Sequence, residues 1–149
     1  MKRAHDAVEI LLVEDVLADA ELIIHVLKKY NPVTRLHWVK DGAEALDFLF
    51  ATGACVERDC ADEPKLVLLD LSLPRVSGIE VLRRLKNDER TRTIPVVVLT
   101  ASKKDADARE CHQLGVDRYI AKPLLFNDVI KVVSELGLSW LLRNKVPLE

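Results

Sequence analysis

Four short apolar runs end on polar side chains that could do chemistry. EILLVED ends on Glu14 and Asp15, KLVLLD ends on Asp70, IPVVVLT ends on Thr100, and RYIAKP ends on Lys122 and a proline. Short apolar runs bounded by charged residues and turn signals are typical of buried strands. Whether these five residues form one site depends on whether the strand ends meet.

The order of the elements predicts that they do. Strand-like runs at 8–13, 35–39, 66–70, 94–100 and 118–123 alternate with five segments of helical periodicity. Such alternation predicts a parallel sheet with helices on both faces, and near-continuous apolar strands agree, because this kind of sheet is buried on both sides. We therefore predict an α/β fold, a flavodoxin-like doubly wound sheet of five strands in the order 2-1-3-4-5 with five helices.

The second helical segment, DGAEALDFLF, has more apolar residues than its inward-facing stripe contains. Its periodicity places Ala45, Leu46 and Leu49 inward. Phe48 and Phe50 are surplus to this stripe.

In the predicted strand order, the first and third strands are neighbours at the switch point, where ligands bind outside the carboxyl ends. Glu14 and Asp15 then face Asp70, and three carboxylates crowded together resist joint ionisation unless a cation is present. An oxygen-rich pocket with open positions suits Mg²⁺. Thr100 adds a hydroxyl and Lys122 a positive charge, groups that bind phosphoryl oxygens. Asp70 is a candidate nucleophile that would form an acyl phosphate.

Four segments together resemble a known family. LLVEDV, LLDLSLPRVSG, VVVLTAS and YIAKP resemble, in order and spacing, the motifs of the response-regulator receiver family of two-component signalling. The resemblance covers about residues 8–136. It implies that Asp70 is the phosphoacceptor, that Asp15 and Asp70 ligate Mg²⁺ with Glu14 acting through water, and that the backbone carbonyl of Ser72 completes the protein ligands.

The same resemblance implies roles on the phosphoryl side of the site. Thr100 and Lys122 would bind the phosphoryl oxygens, with the N–H of Ala101 beside them. Tyr119 matches an aromatic switch position whose ring moves when Thr100 engages the phosphoryl group. The Lys122–Pro123 peptide bond matches one that is cis in the family.

Other interpretations of these residues are less complete. Glu14 and Asp15 alone could cap the helix that follows, because acids favour helix N-termini. A Mg²⁺-dependent aspartyl phosphatase would place a second acid two residues after its nucleophile, where this chain has Ser72. Dinucleotide binding would require GxGxxG after the first strand, and the sequence lacks it. A receiver that serves only as an interaction module would lack at least one of the site residues Asp15, Asp70, Thr100 and Lys122, and this chain has all four.

Composition excludes several function classes. The 149 residues fit one domain, 1–149, with a core at about 8–136 and an apolar tail at 137–149. Lys and Arg number 22 against 24 Asp and Glu, a balance that favours neither nucleic acid nor an anionic membrane, and no apolar run is long enough to span a bilayer.

Three cysteines, Cys55, Cys60 and Cys111, lack CxxC spacing and suit reduced thiols in a cytoplasm. A Cys55–Cys60 bridge is a minor alternative.

The resemblance implies a signalling protein rather than an enzyme with a separate substrate. It would accept a phosphoryl group from a partner histidine kinase and switch an interaction surface toward an unknown downstream protein. DGAEALDFLF, NDERTRTIPVVVLTAS and SWLL look like the small receivers that partner cyanobacterial phytochrome kinases, which suggests a phytochrome-type kinase. The alternative is a phosphorelay intermediate that passes its phosphoryl group to a histidine phosphotransfer protein.

The tail LSWLLRNKVPLE places four large apolar residues, Leu138, Trp140, Leu141 and Leu142, beyond the last predicted core helix. Burying one such side chain stabilises by about 1.5–3 kcal/mol, so the tail needs a partner surface. Either it folds back on its own domain, or it joins a homodimer face with the fourth and fifth helices and the strand of Tyr119. We favour the dimer.

Overall fold

Five parallel strands form one sheet in the order β2-β1-β3-β4-β5, as predicted. The computed structural model describes residues 8–53, 63–101 and 104–136. The elements alternate along the chain: β1 (Ile10–Val13), α1 (Leu17–Tyr30), β2 (Leu36–Val39), α2 (Gly42–Phe50), β3 (Leu66–Asp70), α3 (Gly78–Lys86), β4 (Val96–Thr100), α4 (Asp105–Gln113), β5 (Arg118–Ala121) and α5 (Phe126–Glu135). The predicted fold class is therefore confirmed.

The apolar side chains of the strands alternate between two cores. Leu11, Val13 and Leu69 belong to one core, which α2, α3 and α4 cover; Leu12 and Leu68 belong to the other, which α1 and α5 cover. Successive side chains of a strand point to opposite faces, so a sheet covered on both sides needs apolar residues at every position. This requirement explains why β1 and β3 are apolar up to the point where each leaves the core.

Three strands begin later than predicted, β2 by a single residue, at Leu36 rather than residue 35. β1 begins at Ile10 rather than residue 8, and β4 begins at Val96 rather than residue 94. Val96 directly follows Pro95, which has no N–H to donate to the sheet. Pro95 still contributes its carbonyl, which accepts a hydrogen bond from the Val67 N–H at 2.9 Å.

Phe48 and Phe50 belong to the core although both lie outside the apolar stripe of α2. Phe48 is buried, and its ring stacks on His37 of β2 at a centroid distance of 4.7 Å. Phe50 is half-buried against the same core, with the guanidinium groups of Arg84 and Arg90 over its ring. Helix α2 lies between the sheet, the edge strand β2 and α3, so a wider arc of it is buried than its own periodicity indicates.

Several predictions fall on residues outside the described ranges. Cys55, Cys60 and the apolar tail lie outside these ranges. The Cys55–Cys60 bridge and the role of the tail therefore stay predictions. Cys111 is a free, buried cysteine on α4. Within the described ranges, no helix is long and apolar enough to cross a membrane.

Candidate functional site

The register of the sheet brings the polar strand ends to one edge. Val13 pairs with Leu69, so the next residues, Glu14 and Asp70, lie side by side. Asp70 itself pairs with Leu99, and Thr100 pairs with Ala121, which directly precedes Lys122. Because all the strands are parallel, the residues that follow their carboxyl ends share this edge.

Helix α3 packs directly beneath Asp70 and fixes where its backbone lies. The N–H of Gly78 donates to the carbonyl of Leu71 at 2.9 Å. A Cβ on Gly78 would lie 2.2 Å from the carbonyl oxygen of Asp70 and 2.4 Å from the Cα of Leu71. Ser77 caps the helix by accepting a hydrogen bond from the N–H of Glu80. The VSG segment therefore allows the close approach that positions Asp70.

The Asp70 carboxylate is held at both oxygens. Its Oδ1 accepts a hydrogen bond from the Ser72 N–H at 3.0 Å, and its Oδ2 accepts one from Lys122 Nζ at 2.9 Å. The residue is only 2% exposed. Its orientation in the cleft is therefore set by a loop N–H and a lysine from β5's end of the sheet.

Glu14 is completely buried beside Asp70. Its Oε2 accepts a hydrogen bond from the Val16 N–H at 3.1 Å, and its backbone carbonyl accepts one from Trp38 Nε1 at 2.8 Å. Its Oε1 lies 2.8 Å from Lys122 Nζ but accepts no aligned hydrogen bond within the described part of the chain. Burial, reinforced by Asp70 and opposed by Lys122, raises the pKa of Glu14 to about 7.

Glu14, Asp15 and Asp70 each place a carboxylate oxygen within 4.8 Å of the others. Asp15 is exposed, so the cluster opens toward solvent on its side. A cleft of about 330 Å³ adjoins it, lined by Asp15, Asp70, Ser72, Ala101 and Lys122 together with Val16 and Asp19. Hard carboxylate oxygens, one of them buried without an aligned donor, are a donor set that fits a divalent cation such as Mg²⁺.

Lys122 also contacts an acid that was not among the predicted site residues. Its Nζ lies 2.8 Å from Asp19 Oδ2, in addition to Glu14 and Asp70. Burial alone would lower the pKa of Lys122, but its close contacts with the carboxylates of Asp19, Glu14 and Asp70 outweigh burial and raise it. Asp19 lies in the first turn of α1, where acids are common near any helix N-terminus, so the sequence carried no specific signal for its contact with Lys122.

Thr100 and Tyr119 form the other side of the site. Thr100 is fully buried, its carbonyl accepts a hydrogen bond from the Lys122 N–H at 2.8 Å, and its side chain is hydrogen-bonded to that of Tyr119. Burial, with the nearby Cys111 and Asp107, raises the pKa of Tyr119 despite this hydrogen bond. The Lys122–Pro123 peptide bond is cis, as the resemblance implied.

The alternative role of Glu14 and Asp15 as helix caps has no support in the geometry. Helix α1 begins after Val16, and within the described residues no side chain caps it. Glu14 instead binds the Val16 N–H while lying against Lys122. Both acids therefore belong to the acid cluster beside the cleft.

The family model for the response regulator receiver domain matches residues 10–134, which is most of the chain. The chain belongs to this family. Receiver proteins are signalling proteins, and the receiver-type sheet order seen here agrees with the match.

Two relatives show how closely the chain resembles known receivers. It is 43% identical over 144 residues to the probable methanogenesis regulatory protein FilR2 of Methanothrix harundinacea, covering 97% of this chain and 90% of FilR2. It is 39% identical over 138 residues to the response regulator Rcp1 of Synechocystis, covering 93% and 92%. One of these relatives is named for the regulation of methanogenesis and the other as a response regulator.

Two solved structures extend the comparison. The Mn²⁺-bound form of Rcp1 superposes with a TM-score of 0.74 at 36% identity, covering 94% of this chain and 97% of that one. The phosphorylated cyanobacterial phytochrome response regulator RcpA superposes with a TM-score of 0.76 at 35% identity, covering 89% and 93%. The metal and the phosphorylation belong to those two proteins.

Proposed function

We propose that this receiver accepts a phosphoryl group on Asp70 from a partner histidine kinase and thereby switches an interaction surface. The observation that carries the proposal is the contact of Lys122 Nζ with Asp70 Oδ2 at 2.9 Å, next to Glu14 and Asp15. A nucleophilic carboxylate, a cation-binding acid pair and a fixed lysine are the groups that phosphoryl transfer requires. The proposed place of action is the cytoplasm.

The residues divide the chemistry among them. An Asp70 oxygen attacks the phosphorus of a phosphohistidine; the new O–P bond forms as the N–P bond breaks, and the electron pair stays on the imidazole nitrogen. Lys122 moves to a phosphoryl oxygen, and the Ala101 N–H donates to another. Held by Asp15, Asp70 and the Ser72 carbonyl, with Glu14 acting through water, Mg²⁺ would offset the negative charge that gathers on these oxygens.

Switching would follow from the hydrogen bond between Thr100 and Tyr119. If the Thr100 hydroxyl turns to a phosphoryl oxygen, Tyr119 loses this partner and its ring is free to move. Tyr119 and Arg118 line two neighbouring grooves, of about 440 Å³ against α4 and about 410 Å³ against α5. Movement of Tyr119 would reshape both grooves, and this face is where we place the downstream partner or the predicted homodimer.

Asp15→Ala should weaken Mg²⁺ binding far more than Ser72→Ala. Asp15 contributes a charged ligand oxygen, whereas Ser72 contributes its backbone carbonyl, which alanine keeps. Loss of an outer-shell partner already costs about 10–100-fold in metal affinity, so loss of a ligand should cost at least about tenfold. Trp38 donates to the Glu14 carbonyl, so its fluorescence in a Trp140→Phe background can report the titration. Equal losses in the two variants would contradict the assigned ligands.

The partner kinase is best tested by phosphoryl transfer from purified, phosphorylated histidine kinases. We propose a phytochrome-type kinase because of the similarity to Rcp1 and RcpA. At short reaction times, transfer from such a kinase should exceed transfer from unrelated kinases by at least about tenfold, since specificity is a difference of affinities. A kinase of another class that transfers faster would refute the phytochrome partner and leave the acceptor function intact.

A further inference from the structure

Lys122 has more partners than it can keep during phosphoryl transfer. Its ammonium lies 2.8 Å from Glu14 Oε1, 2.8 Å from Asp19 Oδ2 and 2.9 Å from Asp70 Oδ2. An ammonium has three N–H donors, and these three carboxylates surround it. Phosphorylation turns the Asp70 carboxylate into an acyl phosphate, and Lys122 must move toward the phosphoryl oxygens beyond it, so its contact with Glu14 or with Asp19 must lengthen.

The exposure of the two remaining carboxylates, Glu14 and Asp19, identifies the one that gives way at least cost. The side chains of Glu14 and Asp70 are 0% and 3% exposed, whereas that of Asp19 is 26% exposed at the mouth of the cleft. A buried carboxylate that loses its cation stays uncompensated, which is strongly destabilising. Water can replace the lysine at Asp19.

The position of Asp19 also indicates that it acts on Lys122. It lies on α1, on the same side as the cleft, and lines that cleft together with Asp70 and Lys122. It is not one of the three acids whose oxygens cluster within 4.8 Å. Asp19 therefore meets the site through Lys122 rather than through the acid cluster.

We propose that Asp19 is a positioning residue that holds Lys122 while Asp70 is unmodified and releases it to the phosphoryl group. The inference rests on the proposed acceptor function. Asp19 would then compete with the phosphoryl group for Lys122. The phosphorylated state would therefore be less stable than it would be without Asp19.

The test is equilibrium binding of beryllofluoride, a phosphoryl analogue, to the full chain at saturating Mg²⁺, followed by ¹⁹F NMR. Asp19→Asn should bind the analogue about three- to fivefold more tightly, the size expected when a partly exposed ion pair no longer competes. Glu21→Gln is the matched control, because it removes one charge from the exposed, opposite side of the same helix. Its affinity should equal that of the wild type.

A double-mutant cycle separates action through Lys122 from simple charge repulsion. In a Lys122→Met background, Asp19→Asn should no longer change the affinity for beryllofluoride. In chains that keep Lys122, the ¹⁵N resonance of Lys122 Nζ should shift in the Asp19→Asn variant and stay unchanged in the Glu21→Gln variant. An unchanged Asp19→Asn affinity, or tightening that persists without Lys122, would overturn the inference while the acceptor function stands. A wild-type chain that binds no analogue would overturn the acceptor function and this inference with it.

Discussion

An Asp70→Asn variant is expected to take up no phosphoryl group from acetyl phosphate and Mg²⁺, while the wild type is labelled at this one residue. Asparagine keeps the shape of the side chain and an oxygen for the Ser72 N–H, which contacts Asp70 Oδ1 at 3.0 Å. It removes the anionic oxygen that must attack phosphorus. Labelling should therefore fall to background, as measured by intact mass and by peptide mass spectrometry.

The labelling should also require the metal. EDTA should abolish it in the wild type, since Glu14, Asp15 and Asp70 would otherwise repel the incoming anion. Asp88→Asn is the matched control, because Asp88 lies on the α3–β4 connection, paired with Arg90. This control should be labelled like the wild type. Normal labelling of Asp70→Asn, or labelling that EDTA leaves unchanged, would refute Asp70 as the metal-dependent acceptor.

Gly78→Ala is expected to lower the free energy of unfolding by about 3 kcal/mol, the upper range for overpacking a closely packed site. The added Cβ would lie 2.2 Å from the carbonyl oxygen of Asp70 and 2.4 Å from the Cα of Leu71. Both are backbone atoms, so no side chain can rotate away to relieve the contact. Relief requires α3 and the end of β3 to move apart, which would also displace the Asp70 carboxylate.

Chemical denaturation of Gly78→Ala and of Gly115→Ala measures this effect. Gly115 has a φ of +81°, and a Cβ there meets nothing within 4 Å. Its replacement should cost about 1 kcal/mol from backbone strain alone. If the two variants lose similar free energies of unfolding, the packing of α3 against Asp70 is not what fixes the acceptor's position.

The sequence by itself determined the fold and the residues at the strand ends. Strands that are apolar at every position and alternate with helices specify a parallel sheet covered on both faces, because only that arrangement buries both sides of each strand. Once the strand order is set, the parallel direction brings Glu14, Asp70 and Lys122 to one edge. Local pattern and topology were sufficient for this part of the site.

Only the tertiary structure decided which of these groups touch and what else joins them. Asp19 reaches Lys122, Phe48 packs on His37, and the side chain of Thr100 is hydrogen-bonded to that of Tyr119. Asp19 and Phe48 were not predicted, because a helical residue contacts another element only when the helix has a particular rotation and distance from the sheet. Packing of the two cores sets that rotation, and packing depends on side chains far apart in the chain. The periodicity of one helix shows which face is apolar. It does not show which polar residue beside that face will contact Lys122, which follows β5.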